Sequence, residues 1–333
     1  MCLSCPLPSV TDDYEDIEFD PILNELAWDL VQQAIAAADD LRIEVVDSPA
    51  GGIIDFGVET VGSLGAGLAL AEICTAGLME MQLAPGDLDG IAWPQVFVST
   101  DSPLEACLLS QYAGWQLSVG KFFGMGSGPM RAAAFKEELF DDVGYKEKGE
   151  RVVGVIESSK LPGPDVISHI AEACGVEPKH VALCVAPTAS VAGNLQIAAR
   201  SVETAMHKLF ELGFDVSRVE SGLGWAPLPP VAADDLTGIG RTNDAILYGG
   251  RITLFVTGDD ESLEEIGPQL PSSGSEAFGQ PFIEIFKAAG HDFYQIDPHL
   301  FSPAEVVFHN TETGRVHRYG QVRGDIVRKS FGV

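Results

Sequence analysis

The stretch V-A-L-C-V-A-P-T-A-S-V-A-G-N-L-Q-I-A-A-R-S-V-E-T-A, Val181 to Ala205, decides how the rest of the chain is read. It reads as an apolar strand, a loop of small residues and then one helix. At about 100° per residue, Leu195, Ala198, Val202, Met206 and Leu209 form an apolar stripe, and Gln196, Arg200, Glu203 and His207 form a polar one roughly opposite. The polar stripe has two readings. One is a solvated face with an ordinary ion pair, worth a fraction of a kcal/mol. The other is an acid/base pair just past a strand end, where α/β proteins carry their sites. The loop Pro187 to Asn194 favours the second, because its small residues let a ligand approach the backbone.

Working outward, strands and helices alternate along all 333 residues, which predicts an α/β fold. With 46% apolar residues the chain can bury a large core, and its length suits two domains or one large α/β unit. An acidic arm is expected over 1–20, a first α/β domain over 21–150 and a second over 151–333. The boundary rests on the charged segment Phe140 to Arg151, read as a linker. Asp20 as N-cap and Pro21 at the first helical position predict a helix there. Gly124 to Gly128, before the helix that opens at Pro129, reads as a tight turn or an anion cradle. Gly222 to Pro230, with three prolines and two glycines, reads as a loop.

Forty-nine acidic residues against 20 basic ones give a net charge of −29. That excludes the basic footprint of a nucleic-acid binder and disfavours docking on anionic membranes. No apolar run is long enough to span a bilayer and no signal peptide is recognisable, so a soluble, cytoplasmic protein is expected. Of the six cysteines, Cys74, Cys107, Cys174 and Cys184 fall in apolar runs. Cys2-x-x-Cys5 lacks two further ligands for zinc, so no metal is expected. Neither Ser127 nor Ser190 lies in a nucleophile-elbow pattern, so hydroxyl packing or ligand hydrogen bonding is expected of them.

Several ordered segments resemble the methenyltetrahydromethanopterin cyclohydrolase family: Ser110-Gln-Tyr-Ala-Gly-Trp115, Met125-Gly-Ser-Gly-Pro129 with Arg131-Ala-Ala, Ala186-Pro-Thr-Ala-Ser-Val-Ala-Gly193 and Arg200-Ser-Val-Glu-Thr-Ala205. Thr242-Asn-Asp244, Gly279 to Ala289 and Asp292 to Pro298 continue the series. The resemblance covers about residue 22 to the end, leaving out the acidic arm. Tyr112 departs from it, standing where many archaeal members have lysine.

The resemblance implies a subunit of two α/β domains with the active-site cleft between them, assembled as a homotrimer. It implies hydrolysis of the methenyl form of a one-carbon-carrying pterin, tetrahydromethanopterin, to the 5-formyl form, with no cofactor. The Arg-x-x-Glu pair maps onto Arg200 and Glu203 as the catalytic residues, with Glu203 expected as the acid/base and Arg200 as the orienting and oxyanion group. Small polar groups at Gly126, Ser127, Gly128, Thr188, Ser190 and Asn194, with Asn243 and Asp244 from the second half, are expected to contact substrate. Two alternatives stand beside this: a metal-free cyclohydrolase acting on a tetrahydrofolate-type carrier, and a pterin-binding protein without turnover. A third reading makes the acidic surface an interaction module.

Overall fold

The computed structural model describes residues 23–46 and 51–333, without the side chain of Tyr294; the arm 1–20 and its Cys2-x-x-Cys5 pair lie outside the described residues. Helix α1 (Leu23–Ala36) and the turn α2 (Ala38–Leu41) lead to strands β1 (Glu44–Val46) and β2 (Gly52–Asp55). Helix α3 (Leu64–Cys74) is capped by the Ser63 hydroxyl, which accepts from the Ala66 N–H, and the long hairpin β3 (Glu80–Leu88) and β4 (Ile91–Thr100) follows. After a π-helical segment, Leu104–Gln111, come β5 (Trp115–Val119), β6 (Phe122–Ser127), α4 (Met130–Ala134) and α5 (Glu138–Val143). Strand β7 (Val152–Glu157), helix α6 (Pro164–Cys174) and strand β8 (Val181–Ala186) make a parallel βαβ unit. Beyond it lie α7 (Val191–Ala198), α8 (Ser201–Glu211), β9 (Val219–Pro227), α9 (Asp235–Leu247), β10 (Arg251–Val256) and α10 (Asp260–Ile266). The chain closes with α11 (Phe282–Ala288), β11 (Glu305–Asn310), β12 (Val316–Gly320) and α12 (Gly324–Phe331).

The fold is mixed α/β with two six-stranded sheets, ordered β1-β2-β8-β7-β6-β5 and β12-β11-β10-β9-β4-β3. Strands from both sides of residue 150 enter each sheet, so sheet membership does not follow the sequence order. In the first sheet β2, β8 and β7 run parallel, and in the second only β10 and β11 do. Side-chain burial explains the difference in sequence texture. Strand β8 is buried at all six positions, because helices cover both faces of that sheet. Strands β10 and β11 alternate, and their inward set of Ile252, Leu254, Val306 and Phe308 packs with Val202, Met206 and Leu209 of α8.

Three sequence expectations are corrected here. Gly222 to Pro227 is strand, not loop. A Cβ on Gly222 would come within 2.9 Å of Val202, and one on Gly224 within 2.7 Å of Ser201 Oγ, so these glycines let α8 lie close on β9. Gly124 to Ser127 is also strand. A Cβ on Gly126 would meet Met130 at 2.7 Å, and the left-handed backbone begins only at Gly128, with φ +86°. The single helix expected through Arg200 is two, α7 and α8, broken at Ala199 and Arg200.

The segment read as a linker is packed at Glu147. This buried carboxylate accepts from the Asn24 backbone N–H at 2.9 Å and from Asn24 Nδ2 at 3.0 Å. Asn24 Nδ2 also donates to the Pro129 carbonyl at 3.0 Å, and its Oδ1 accepts from the Val153 N–H at 2.9 Å. One carboxamide thus joins α1, β7, the start of α4 and the segment between α5 and β7. Asn24→Ala strands buried partners on three segments and is expected to cost about 2–4 kcal/mol in urea unfolding. A loss below about 1 kcal/mol would show that these groups find other partners.

Candidate active site

The carboxyl ends of the parallel strands β2, β8 and β7 lie side by side, with Asp55 paired to Val185 and Glu157 to Ala186. The loop from Pro187 leaves this edge and enters α7, whose N-cap is Ser190. Its hydroxyl accepts from the Gly193 N–H at 2.9 Å and donates to the Pro187 carbonyl at 2.8 Å. Gly193 is required there, since a Cβ would sit 2.1 Å from the Pro187 oxygen.

The break between α7 and α8 keeps Gln196, Arg200 and Glu203 on one side, and that side is buried: 2%, 8% and 4% exposed. The solvated-face reading is thereby excluded. Arg200 reaches out of the helices to the first sheet. Its Nη1 donates to the Gln111 carbonyl at 2.6 Å, and its Nη2 donates to Ser127 Oγ at 3.1 Å and Gln196 Oε1 at 3.0 Å. Nε adds a longer bond to Gln196 Oε1, 3.3 Å. Glu203 Oε2 stands 3.9 Å from Arg200 Nη1, and its carboxylate accepts no hydrogen bond among the described residues. Burial pushes the Glu203 carboxyl up to about 7, against the opposing pull of Arg200 and then Arg131. A carboxyl with this value sits between its two protonation states at neutral pH, the condition for moving a proton in either direction.

Arg131, fully buried, is a site feature missed in the sequence reading. It forms a two-pronged pair with Glu137 and donates to the carbonyls of Leu108, at 3.0 Å, and Ser110, at 3.2 Å. Its guanidinium lies 5.0 Å over the Tyr112 ring, which stacks on His207 at 4.0 Å. Burial, with Arg131 nearby, holds His207 down to about 4, so it is neutral at physiological pH. The signal for Arg131 was its place directly after the glycine strand, which alone does not mark a burial site.

Of the residues expected to touch substrate, Ser127 bonds Arg200 directly and Gly126 precedes it in β6. Gly128 donates its N–H to the Ser110 carbonyl at 2.8 Å. Thr188 donates to the Glu157 carboxylate, which burial shifts upward and whose neighbours include Arg200. Asn194 donates to the Pro229 carbonyl at 2.7 Å, with its Oδ1 buried and unpaired among the described residues. Asn243 and Asp244 bond among the helices of the second half. Asn243 donates to the Ile239 carbonyl at 2.9 Å within its own helix, and Asp244 accepts from the Phe282 N–H at 2.8 Å. Desolvation raises Asp244 to about 7 in that helical layer.

Two surface hollows of about 350 and 430 Å³ lie along the second sheet, and no residue expected to contact substrate lines either. No helix among the described residues is long and apolar enough to cross a membrane.

A family model described as cyclohydrolase (MCH) matches residues 22–331. A methenyltetrahydromethanopterin cyclohydrolase of Rhodopirellula baltica is 43% identical over 327 residues, covering 97% of this chain and 98% of that protein. Those of Methylobacillus flagellatus and Methanothermobacter marburgensis are 44% and 43% identical, covering 95% and 93% of this chain and 97% and 99% of theirs. With a family match and identities of this size running over nearly its whole length, the chain belongs to the methenyltetrahydromethanopterin cyclohydrolase (MCH) family of hydrolases.

Proposed function

We propose that this protein reversibly hydrolyses methenyltetrahydromethanopterin to 5-formyltetrahydromethanopterin, with Glu203 as the acid/base and Arg200 as the group that holds it in place. The pocket in this reading lies beside Arg200, where the carboxyl edge of the first sheet meets the polar side of α8. The observation that carries the proposal is the buried Glu203 carboxyl beside Arg200, free of hydrogen bonds among the described residues, in a chain whose relatives bear that enzyme's name.

The methenyl bridge is an amidinium cation, so its carbon is already electrophilic. As the cation arrives it favours the carboxylate form of Glu203, which takes a proton from water while the oxygen bonds to the bridge carbon. The positive charge is then gone, and the Glu203 carboxyl regains its affinity for the proton. It delivers that proton to the departing ring nitrogen as the carbon–nitrogen bond breaks. The remaining hydroxyl proton leaves as the formyl C=O forms, so one water enters and one proton is released to solvent.

Arg200 adds a cation next to a cationic substrate, which is unfavourable by itself. Its bonds to the Gln111 carbonyl, Ser127 and Gln196 offset this by fixing the guanidinium where it restrains the rise in the Glu203 pKa. Arg200→Lys keeps the charge but loses the fork. A drop of about 10²-fold in kcat/KM is expected, read as loss of methenyl absorbance. Unchanged kinetics would remove Arg200 from the mechanism. Running the same assay on a methenyl-tetrahydrofolate tests the carrier: comparable rates on both would overturn the assignment to tetrahydromethanopterin.

A further inference from the structure

Gln111 combines two unfavourable features beside Arg200. It is fully buried, yet both heteroatoms of its carboxamide, Oε1 and Nε2, have no partner among the described residues. Buried amides are normally satisfied, and an orphaned one lowers stability. It also ends the π-helical segment Leu104–Gln111, with the following Tyr112 N–H bonded to the Cys107 carbonyl at 2.9 Å. Such segments are poorly favoured and concentrate at functional sites. Both features meet at the residue whose carbonyl receives Arg200 Nη1 at 2.6 Å, and that same Nη1 stands 3.9 Å from Glu203.

The forming formyl oxygen needs a donor, and the guanidinium of Arg200 is largely spoken for by Gln111, Ser127 and Gln196. A neutral donor has a further advantage, since it adds no second cation against a cationic substrate. We propose that Gln111 is a substrate-contacting residue whose carboxamide donates Nε2–H to the oxygen of the one-carbon unit as the formyl group forms. No bond to Gln111 is made or broken. Its contribution is to the carbinolamine and to the formyl state, because the methenyl cation carries no oxygen at that carbon.

This inference rests on the proposed reaction, and binding separates the two. In the full-length protein carrying Glu203→Gln, affinities for the methenyl and 5-formyl pterins are measured with and without Gln111→Met, a side chain of similar length with no amide. The added substitution is expected to weaken 5-formyl binding about tenfold and to leave methenyl binding within about twofold. In the Glu203 background, Gln111→Met and Gln111→Leu are expected to lower kcat about 10²-fold while raising Tm, since the orphaned amide is gone. Wild-type kcat in both variants, or equal weakening of both pterins, would overturn the role of Gln111. So would a fall in Tm with selectivity unchanged, the mark of a structural group. Absence of methenyl hydrolysis by the wild-type protein would instead overturn the reaction itself.

Discussion

Glu203→Gln is expected to lower kcat by roughly 10³-fold or more while leaving pterin binding in place, because the amide keeps the shape and cannot take a proton. The same substitution is expected to stabilise the fold at alkaline pH. The folded carboxyl, raised to about 7, holds its proton longer than the unfolded one, so burying its charge is unfavourable once that proton is lost. The penalty is absent below the ordinary carboxylate range, grows as pH rises toward 7 and is complete above it. Removing it is expected to gain on the order of 2 kcal/mol at pH 8 and nothing at pH 4, measured as Tm against pH. The wild-type kcat/KM for hydrolysis is expected to climb with pH through about 7, as the free enzyme's base ionises. A flat profile, or a Glu203→Gln enzyme with near-normal turnover, would remove Glu203 as the base.

Arg131→Leu is expected to be the most destabilising single change at this site, at about 3–5 kcal/mol. It leaves the Glu137 carboxylate and the carbonyls of Leu108 and Ser110 without their donor. It also removes the cation beneath the Tyr112 and His207 stack. Adding Glu137→Leu is expected to restore part of the loss, because the stranded charge goes with it, and the coupling is read from a double-mutant cycle in urea. Because Arg131 also holds the Glu203 carboxyl down, the pH limb of kcat/KM in Arg131→Leu is expected to move upward. Full stability in the single variant would contradict the burial of this pair.

Much of the chain could be read in one dimension. The strand at Val181 follows from its short apolar run, the helix positions at Leu195 and Val202 from period, and the α/β class from alternation. The break at Ala199 and Arg200 escaped because both residues fit a continuous helical stripe. Glycines misled in β6 and β9. Local rules read them as turns, whereas they are there to let Met130, Val202 and Ser201 come close. Asn243 and Asp244 were expected at the site as polar residues of the second half. Asn243 bonds back to Ile239 within its own helix, and Asp244 accepts from Phe282 of α11, a partner distant in sequence that no local pattern reveals.

The sequence by itself determined the alternation of strands and helices, the acidic charge, and an arginine and a glutamate three residues apart beyond a strand. Each of these depends on spacing or counting, which need no partner. Only the tertiary structure decided that the polar stripe is buried, that Arg200 crosses to the Gln111 carbonyl and Ser127, and that Arg131 lies within electrostatic reach of Glu203. Those outcomes depend on desolvation and on contacts between residues up to 89 positions apart, and neither is encoded in the order of neighbours.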